Sequence, residues 1–339
     1  MRRKILSSLH YIIFLGAGLL LVWWQLREMT PGEKTEFNIA FKNADYLILV
    51  PVIVMNLLSH FTRAVRWRLL MKPLGYFPKL KNVFGATMVG YLANAAVPRL
   101  GEVLKCTMLA KQEDLKTDKL IGTVLIERTF DFCTYLLFIL ITVFIQLDVV
   151  GSYVNEKLQL LTSGGKVPLG IKIFFVLCVL AAMILIIKKI FSLYPDNAVL
   201  NKIRSFISGI FEGFSAIKNL KERKTFLVLT AFMWTLYLMQ IFIGFKAMDG
   251  TAHLGIKAAC AVLSLSTLAM IVTPGGIGAF PFFVMETLLI YGISSPQGKA
   301  FGWLMWGVST LIFITAGLLS LILFLYLNKK KNAVSSGSA

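Results

Sequence analysis

The sequence predicts an all-α protein that crosses the membrane several times. Hydrophobic residues make up 57% of the 339 residues and charged residues only 15%, whereas a soluble domain is about 45–50% apolar and about 25% charged. The apolar residues form long continuous runs rather than alternating patterns, which is typical of membrane helices and not of barrel strands. Most lysines and arginines lie at the ends of these runs, as expected for loops that flank membrane spans.

The apolar runs differ in length, and a helix needs ~20 apolar residues to cross the bilayer. About six runs approach or exceed this length, and we interpret them as full spans. The shorter runs belong to two segments that are interrupted by proline and glycine. The predicted full spans are 9–26, 46–62, 120–147, 168–187, 225–245 and 300–327.

The distribution of positive charge predicts the orientation. With a cytoplasmic N-terminus, the cytoplasmic segments carry 23 of the 35 lysines and arginines and the outer segments carry nine. This asymmetry follows the positive-inside rule, so we expect an inner (cytoplasmic) membrane protein with both termini in the cytoplasm. The same distribution accounts for the net charge of +18. No basic domain with interleaved aromatic residues is present, so we expect no nucleic-acid partner.

Two interrupted segments, 83–111 and 256–292, fit the charge count only if both ends of each lie on one side of the membrane. The first is broken at 97–101 and the second at 273–278. We therefore predict two re-entrant hairpins of broken helices, the first entering from the cytoplasm and the second from the opposite face. The alternative is eight or nine plain spans with kinks at proline, because membrane helices tolerate proline and glycine.

The order of these elements indicates an inverted-topology repeat. A span, a hairpin and a span in 46–147 recur with opposite orientation in 225–327. Such repeats place a binding site near the midplane, where the broken helices meet.

The remaining organisation is simple. A single transmembrane domain is expected over residues 1–328, and 329–339 form a short basic, disordered tail. Residues 198–217 carry apolar side chains at helical spacing, which predicts an amphipathic helix on the cytoplasmic membrane surface.

Several charged residues fall inside the predicted membrane region. An ionisable side chain at the bilayer centre costs about 2.5–3.5 kcal/mol even on the mild insertion scale, so these residues point to a function or to pairing. They are Arg99, Glu102 and Lys105 after the first break, Glu127, Arg128 and Asp131 in the span 120–147, and Glu286 after the second break.

Two interpretations of these charges stay open. Glu127, Arg128 and Asp131 could form purely structural salt bridges, because buried pairs need not be functional. Arg99 favours a functional interpretation, since it lies in the break where freed amides and a helix N-terminus attract an anion. The arginines at 63, 66 and 68 are interpreted as orientation signals that could also bind headgroup phosphates.

Motifs of enzymes and cofactors are not found in the sequence. It contains no phosphate loop of the Gly-Lys-Ser/Thr type, no G-x-S-x-G elbow and no HExxH metal motif. The four cysteines are widely spaced and do not form a CxxC pair. We therefore expect no cofactor, no metal site and no catalytic residue.

Four sequence elements resemble the membrane portion of the lysylphosphatidylglycerol synthase/flippase family. They are Arg63-Ala-Val-Arg66-Trp67-Arg68, the stretch from Asn94 to Lys105, Glu127-Arg128-Thr-Phe-Asp131, and Pro274-Gly275-Gly276-Ile-Gly278. The resemblance covers nearly the whole chain in order. It implies a flippase-like protein, because in the best-known members this region moves an aminoacylated phosphatidylglycerol between leaflets.

The sequence departs from that pattern in two places. No aminoacyl-transfer domain follows Lys331, so we expect no synthase activity. Lys105 lies where the resemblance suggests an arginine, which keeps the charge but loses the bidentate fork.

These observations give one functional hypothesis and two alternatives. The hypothesis is a flippase-like protein that moves or binds a lipid with an anionic or modified headgroup. The alternatives are a membrane-embedded transferase acting on a lipid-linked substrate, and a non-transporting partner of a lipid-modifying enzyme. The predicted substrate-binding residues are Arg99, Gly101, Glu102, Lys105, Glu127, Arg128, Asp131, Pro274, Gly275, Gly276, Gly278 and Glu286.

Overall fold

The computed structural model describes most of the chain as helices. The chain forms two compact units, residues 1–127 with 218–339 and residues 128–217, and each is described by itself. The predicted span 168–187, nearly all of the predicted surface helix 198–217, and Arg99 lie outside the described residues. Those residues are 16, 18–25, 27–97, 100–146, 215, 217–218 and 220–336.

The described part of the chain is mainly helical, with no strand, and this confirms the all-α class. The α-helices after the N-terminal helical segment 18–25 are α1 (Pro31–Lys42), α2 (Leu49–Met71), α3 (Leu80–Ala96), α4 (Leu100–Glu113), α5 (Thr117–Ile145), α6 (Arg223–Gly244), α7 (Ile256–Val272), α8 (Ala279–Ile290) and α9 (Ser295–Ser336).

Four of the described helical stretches are long and apolar enough to cross a membrane. They correspond to four of the predicted full spans and confirm a polytopic membrane protein. Their bounds are Tyr46–Leu74, Thr117–Ile145, Arg223–Ala247 and Ser295–Leu327. The helices α3, α4, α7 and α8 have 12 to 17 residues, so each is at most about 26 Å long at 1.5 Å per residue. None of these four helices alone spans the ~30 Å hydrocarbon core.

Helices α3 and α4 form an antiparallel hairpin. At its open end, the Glu113 carboxylate on α4 accepts hydrogen bonds from the Lys79 amide at 3.0 Å and from the Asn82 side chain at 2.5 Å. At its closed end, Gly101 lies so close to Gly90 that a Cβ on Gly101 would overlap the Gly90 carbonyl. Both ends of this segment therefore lie together, as the charge pattern predicts.

Helices α7 and α8 form a second hairpin around the predicted break. Gly275, Gly276 and Gly278 have φ values of 60°, 70° and 69°, a region that other residues rarely occupy. At the open end of the hairpin, the Tyr291 hydroxyl donates a hydrogen bond to the Lys257 carbonyl at 3.5 Å. The break is thus a chain reversal rather than a kink within one continuous span.

Helix α9 packs against both hairpins from opposite ends. Its first part contacts α8 and its later part contacts α3, and both pairs run antiparallel. The contacting pairs, which show these directions, are Gly298 with Met285, Gly302 with Pro281, Gly317 with Leu92, and Phe324 with Gly85.

The tips of the two hairpins meet beside the middle of the membrane part of α9. A Cβ on Gly275 would lie 3.4 Å from the Ala95 Cα atom at the end of α3. The Trp306 indole on α9 donates a hydrogen bond to the Gly275 carbonyl at 2.8 Å, and the Gln25 amide donates one to the Gly278 carbonyl at 2.9 Å. The bond from Trp306 satisfies a carbonyl at the break, and the bond from Gln25 ties the start of α8, whose Gly278 carbonyl also accepts from the Phe282 amide, to the N-terminal helical segment.

Helices α2 and α6 run antiparallel beside the hairpins. Asn56 bonds Gln240 at 3.0 Å near one end of the pair, and Arg66 bonds Thr230 at 3.0 Å near the other. These two bonds fix the opposite directions of the two helices, and the inverted repeat itself stays a prediction.

Candidate functional site

The most conspicuous polar feature of the first unit is a buried carboxylate that contacts three cations. Glu127 on α5 has no exposed surface. Its Oε1 atom lies 3.1 Å from the Arg63 Nη1 atom and 3.5 Å from the Arg66 Nη2 atom, and its Oε2 atom lies 3.1 Å from the Lys105 Nζ atom. We refer to Arg63, Arg66, Lys105 and Glu127 as the charge cluster. It joins α2 to the two consecutive helices α4 and α5.

Helical spacing on α2 brings the two arginines to the cluster. Arg63 and Arg66 are one turn apart, so their side chains leave the same face, and both are buried. The Arg66 Nη1 atom donates a hydrogen bond to the Thr230 hydroxyl at 3.0 Å, and its guanidinium lies 5.2 Å from the centre of the Phe226 ring. These contacts from α6 hold the guanidinium plane in place.

Lys105 reaches Glu127 because α3 and α4 approach closely. A Cβ on Gly90 would lie 3.2 Å from the Lys105 Cβ atom, so a larger residue would push α4 away. The Lys105 ammonium lies 4.2 Å from the centre of the Trp67 ring, and the Trp67 indole donates a hydrogen bond to the Thr123 hydroxyl at 2.9 Å. A cation over a desolvated indole is stabilised by about 2 kcal/mol.

The burial of this cluster determines its energetics. Transferring ions out of water costs several kcal/mol each, and the loss is offset only by close pairing and further hydrogen bonds. The cluster provides both, since each cation contacts the carboxylate within 3.5 Å. The predicted pairing of Glu127 is therefore present, and the partners shown here are bases on other helices.

Glu102 and Gly101 lie at the first break, next to the cluster on α4. The Asn94 side chain on α3 accepts a hydrogen bond from the Gly101 amide at 2.8 Å and donates one to the Glu102 Oε1 atom at 3.4 Å. Asn94 therefore caps the start of α4 from the opposite arm of the hairpin, and this bond satisfies an amide that the helix start exposes.

The second break contributes backbone rather than charge. Pro274 begins the short 3₁₀ turn, which ends at Gly276, and Gly278 precedes α8. Glu286 is exposed on α8 and lies outside the charge cluster. The second break therefore meets the first break within the first unit, and Glu286 does not take part in the charge cluster.

Three of the predicted site residues are not placed by this geometry. Arg99 lies outside the described residues, and Arg128 and Asp131 belong to the second unit. Their contribution to a common site stays a prediction.

Sequence reasoning undervalued Arg63 and Arg66. They were interpreted as orientation signals at the end of a span, yet they are 7% and 0% exposed. Their one-turn spacing next to Trp67 could have identified them, because arginines that only set the orientation of a span do not have to lie on one face of the helix.

Comparison with known proteins identifies the family of the chain. The lysylphosphatidylglycerol synthase TM region matches residues 9–326. The chain belongs to this family. Membership in the lysylphosphatidylglycerol synthase TM family relates the protein to the modification or movement of membrane lipids.

One similar protein is a UPF0104 membrane protein of Methanocaldococcus jannaschii. It is 29% identical over 104 residues, which are 30% of this chain and 30% of that protein. The chain thus matches less than a third of that relative's length. No solved structure matches the chain.

Proposed function

We propose that this protein binds a membrane lipid with an anionic or modified headgroup and moves it between the leaflets. The observation that carries the proposal is the meeting of two hairpin tips beside a buried cluster of three cations and one carboxylate. Lipid-related family membership supports it.

The hairpins supply the geometry that such a site needs. In transporters with inverted repeats, broken helices meet near the midplane and their ends point at the substrate. Here the hairpins approach α9 from opposite ends, so we infer that they are re-entrant from opposite membrane faces. The start of α4 at Leu100 adds the partial positive charge of a helix N-terminus at the first break.

The charge cluster supplies the affinity for an anion. Glu127 is the counter-ion of Arg63, Arg66 and Lys105 when the site is empty. A lipid phosphate can take over part of this pairing, since arginine binds phosphate through paired hydrogen bonds. The three cations are then already oriented when the headgroup arrives, which lowers the entropic cost of binding.

The membrane assignment is part of the proposal. We infer an inner (cytoplasmic) membrane location with cytoplasmic termini from the excess of lysine and arginine in the predicted cytoplasmic loops. In this orientation, the open end of the first hairpin faces the cytoplasm and that of the second hairpin faces outward.

Leaflet exchange in liposomes tests the function. The purified protein is reconstituted with fluorescent phosphatidylglycerol or fluorescent phosphatidylcholine, and an impermeant quencher reports the outer leaflet. We expect faster exchange of the anionic probe than in protein-free liposomes. Arg99→Gln should abolish it, whereas Lys111→Gln, an exposed site on α4, should not.

The result separates the proposal from its alternatives. A chemical change of the lipid, detected by mass spectrometry, would indicate a transferase. Neither exchange nor chemical change would indicate a partner protein. Normal exchange by the Arg99→Gln protein would contradict the proposed role of the first break.

A further inference from the structure

A column of buried polar side chains runs along α2 through the first unit. It begins at Asn56 and continues through Ser59 and His60 to Arg63 and Arg66, and all five are at most 7% exposed. These residues recur at each turn, so they share one face of the helix. Ten residues of helix span about 15 Å, which is roughly half of the hydrocarbon core.

His60 stands out within this column. It is 4% exposed, and neither of its ring nitrogens has a hydrogen-bond partner in the described part of the chain. Its ring lies 4.5 Å from the Tyr91 ring on α3 and 5.2 Å from the Phe313 ring on α9, and these two rings stack on each other. Aromatic packing thus fixes the imidazole while both nitrogens stay available for protons.

Asn56 and Gln240 extend the same pattern one turn away. Asn56 donates a hydrogen bond to the Gln240 carbonyl oxygen at 3.0 Å and lies 3.5 Å from the Ser309 hydroxyl. The Asn56 oxygen and the Gln240 nitrogen have no further partner among the described residues. Buried polar atoms of this kind are normally satisfied by ordered water, so the column is suited to a chain of water molecules.

We propose that this column carries protons, with His60 as the group that takes up and releases them. The ring nitrogen without hydrogen accepts a proton, and one ring nitrogen later gives a proton up, so only N–H bonds form and break. Histidine suits this role because its ring can both accept and donate a proton, and ionisable residues inside membranes commonly serve as proton relays.

The charges around His60 couple its protonation to the binding of the anionic lipid headgroup, and this coupling rests on the proposed function. Arg63 lies one turn further along α2 and repels a proton on His60, whereas Glu127 on α5 is the counter-ion of Arg63. The other described titratable groups near the column are Tyr91 on α3, Lys105 on α4 and Tyr237 on α6, whose hydroxyl lies 3.5 Å from the Arg63 Nη2 atom. No described titratable group of α9 contacts His60, which meets that helix at Phe313.

The consequence is a cotransport cycle. An anionic headgroup at Arg63 reduces the repulsion and favours a protonated His60, and a protonated His60 in turn favours the anion. Such coupling is reciprocal by thermodynamic necessity. The anionic lipid and the proton are therefore expected to move in the same direction.

Liposomes with an imposed pH gradient test the inference. They contain phosphatidylcholine with a trace of fluorescent phosphatidylglycerol, and a trapped pH-sensitive dye reports proton entry. With one proton per lipid, a gradient of about one pH unit should shift the leaflet ratio of the probe by about tenfold. His60→Gln should abolish this shift, and His253→Gln, an exposed site between α6 and α7, should retain it.

Two further measurements keep the outcome decisive. Asn56→Leu keeps a side chain of similar size and removes a polar member of the column, so it should also weaken the shift. This variant replaces His60→Gln as the test if the His60→Gln protein does not fold. Gradient-independent exchange by the natural protein would overturn proton coupling and leave the lipid function standing.

If no probe is exchanged, proton entry alone decides the inference. A potassium diffusion potential then drives protons into the same liposomes. Flux that His253→Gln keeps and His60→Gln loses supports the proton path. Flux equal to that of protein-free liposomes overturns it.

Discussion

Replacing Glu127 by glutamine should strongly destabilise the protein. The substitution keeps the size of the side chain and removes the carboxylate that lies 3.1 Å from Arg63, 3.1 Å from Lys105 and 3.5 Å from Arg66. Removing one partner of a buried ion pair typically costs about 3–5 kcal/mol because the remaining charge stays in a low-dielectric site. Here the free energy of unfolding should fall by that amount, a large share of the about 5–15 kcal/mol typical of folded proteins.

The assay is unfolding in detergent micelles followed by tryptophan fluorescence. Asp118→Asn is the matched control, since it removes an exposed carboxylate from the same helix α5. It should change stability by less than about 1 kcal/mol. The double variant with Lys105→Met should lose less than the sum of the two single variants, because residues in one salt-bridge network are not additive. A loss below about 1 kcal/mol for Glu127→Gln would refute the structural role of the charge cluster.

Three shorter predictions follow. Gly101→Ala should sharply lower the yield of folded protein, because the new Cβ overlaps the Gly90 carbonyl, whereas Gly122→Ala on α5 meets no atom within 4 Å and should be tolerated. Single cysteines placed at 112–116 should react with impermeant reagents only from the cytoplasmic side, and labelling from outside would make the first hairpin a full crossing. The hydrogen bonds that Thr30 donates at the start of α1 lower the pKa of the Glu33 carboxyl from its ordinary value of 4.5. The Glu33–Thr30 cap is therefore fully present above pH 4.5 and is lost as the pH falls through the lowered pKa. Amide exchange in α1 should then rise in acid, and a flat profile would exclude the cap.

The sequence was most informative where a physical constraint acts on a whole segment. Long apolar runs and the placement of lysine and arginine predicted the described spans, since the membrane imposes length and orientation on each helix. The glycines at 275, 276 and 278 predicted the second break because only glycine readily adopts positive φ. The charge count predicts that the ends of each hairpin lie on one side of the membrane, and this placement stays a prediction.

The sequence was less informative about contacts between distant helices. The pairing of Glu127 with Lys105 joins residues 22 positions apart, and that with Arg63 joins residues 64 positions apart. Such pairs depend on how α2, α4 and α5 pack, and a periodic pattern within one helix does not contain this information. When α5 is considered alone, the neighbouring Arg128 is the partner that the sequence favours for Glu127.

His60 illustrates the same limit. In the sequence it is a single histidine in an apolar run, which most often means a satisfied core residue. Its packing against the edges and faces of the Tyr91 and Phe313 rings, and its two nitrogens without hydrogen-bond partners among the described residues, become visible only in three dimensions.

The contact of α9 with both hairpins through glycine has a mechanical consequence. A Cβ on Gly302 would overlap the Pro281 backbone, and one on Gly317 would overlap the Leu92 Cβ atom, so α9 approaches α8 and α3 closely at both glycines. Glycine contacts of this kind permit close helix packing in membranes and suit small shear displacements between packed helices. Because the Trp306 indole is bonded to the Gly275 carbonyl, a displacement of α9 along its axis would either break this bond or carry the tip of the second hairpin with it.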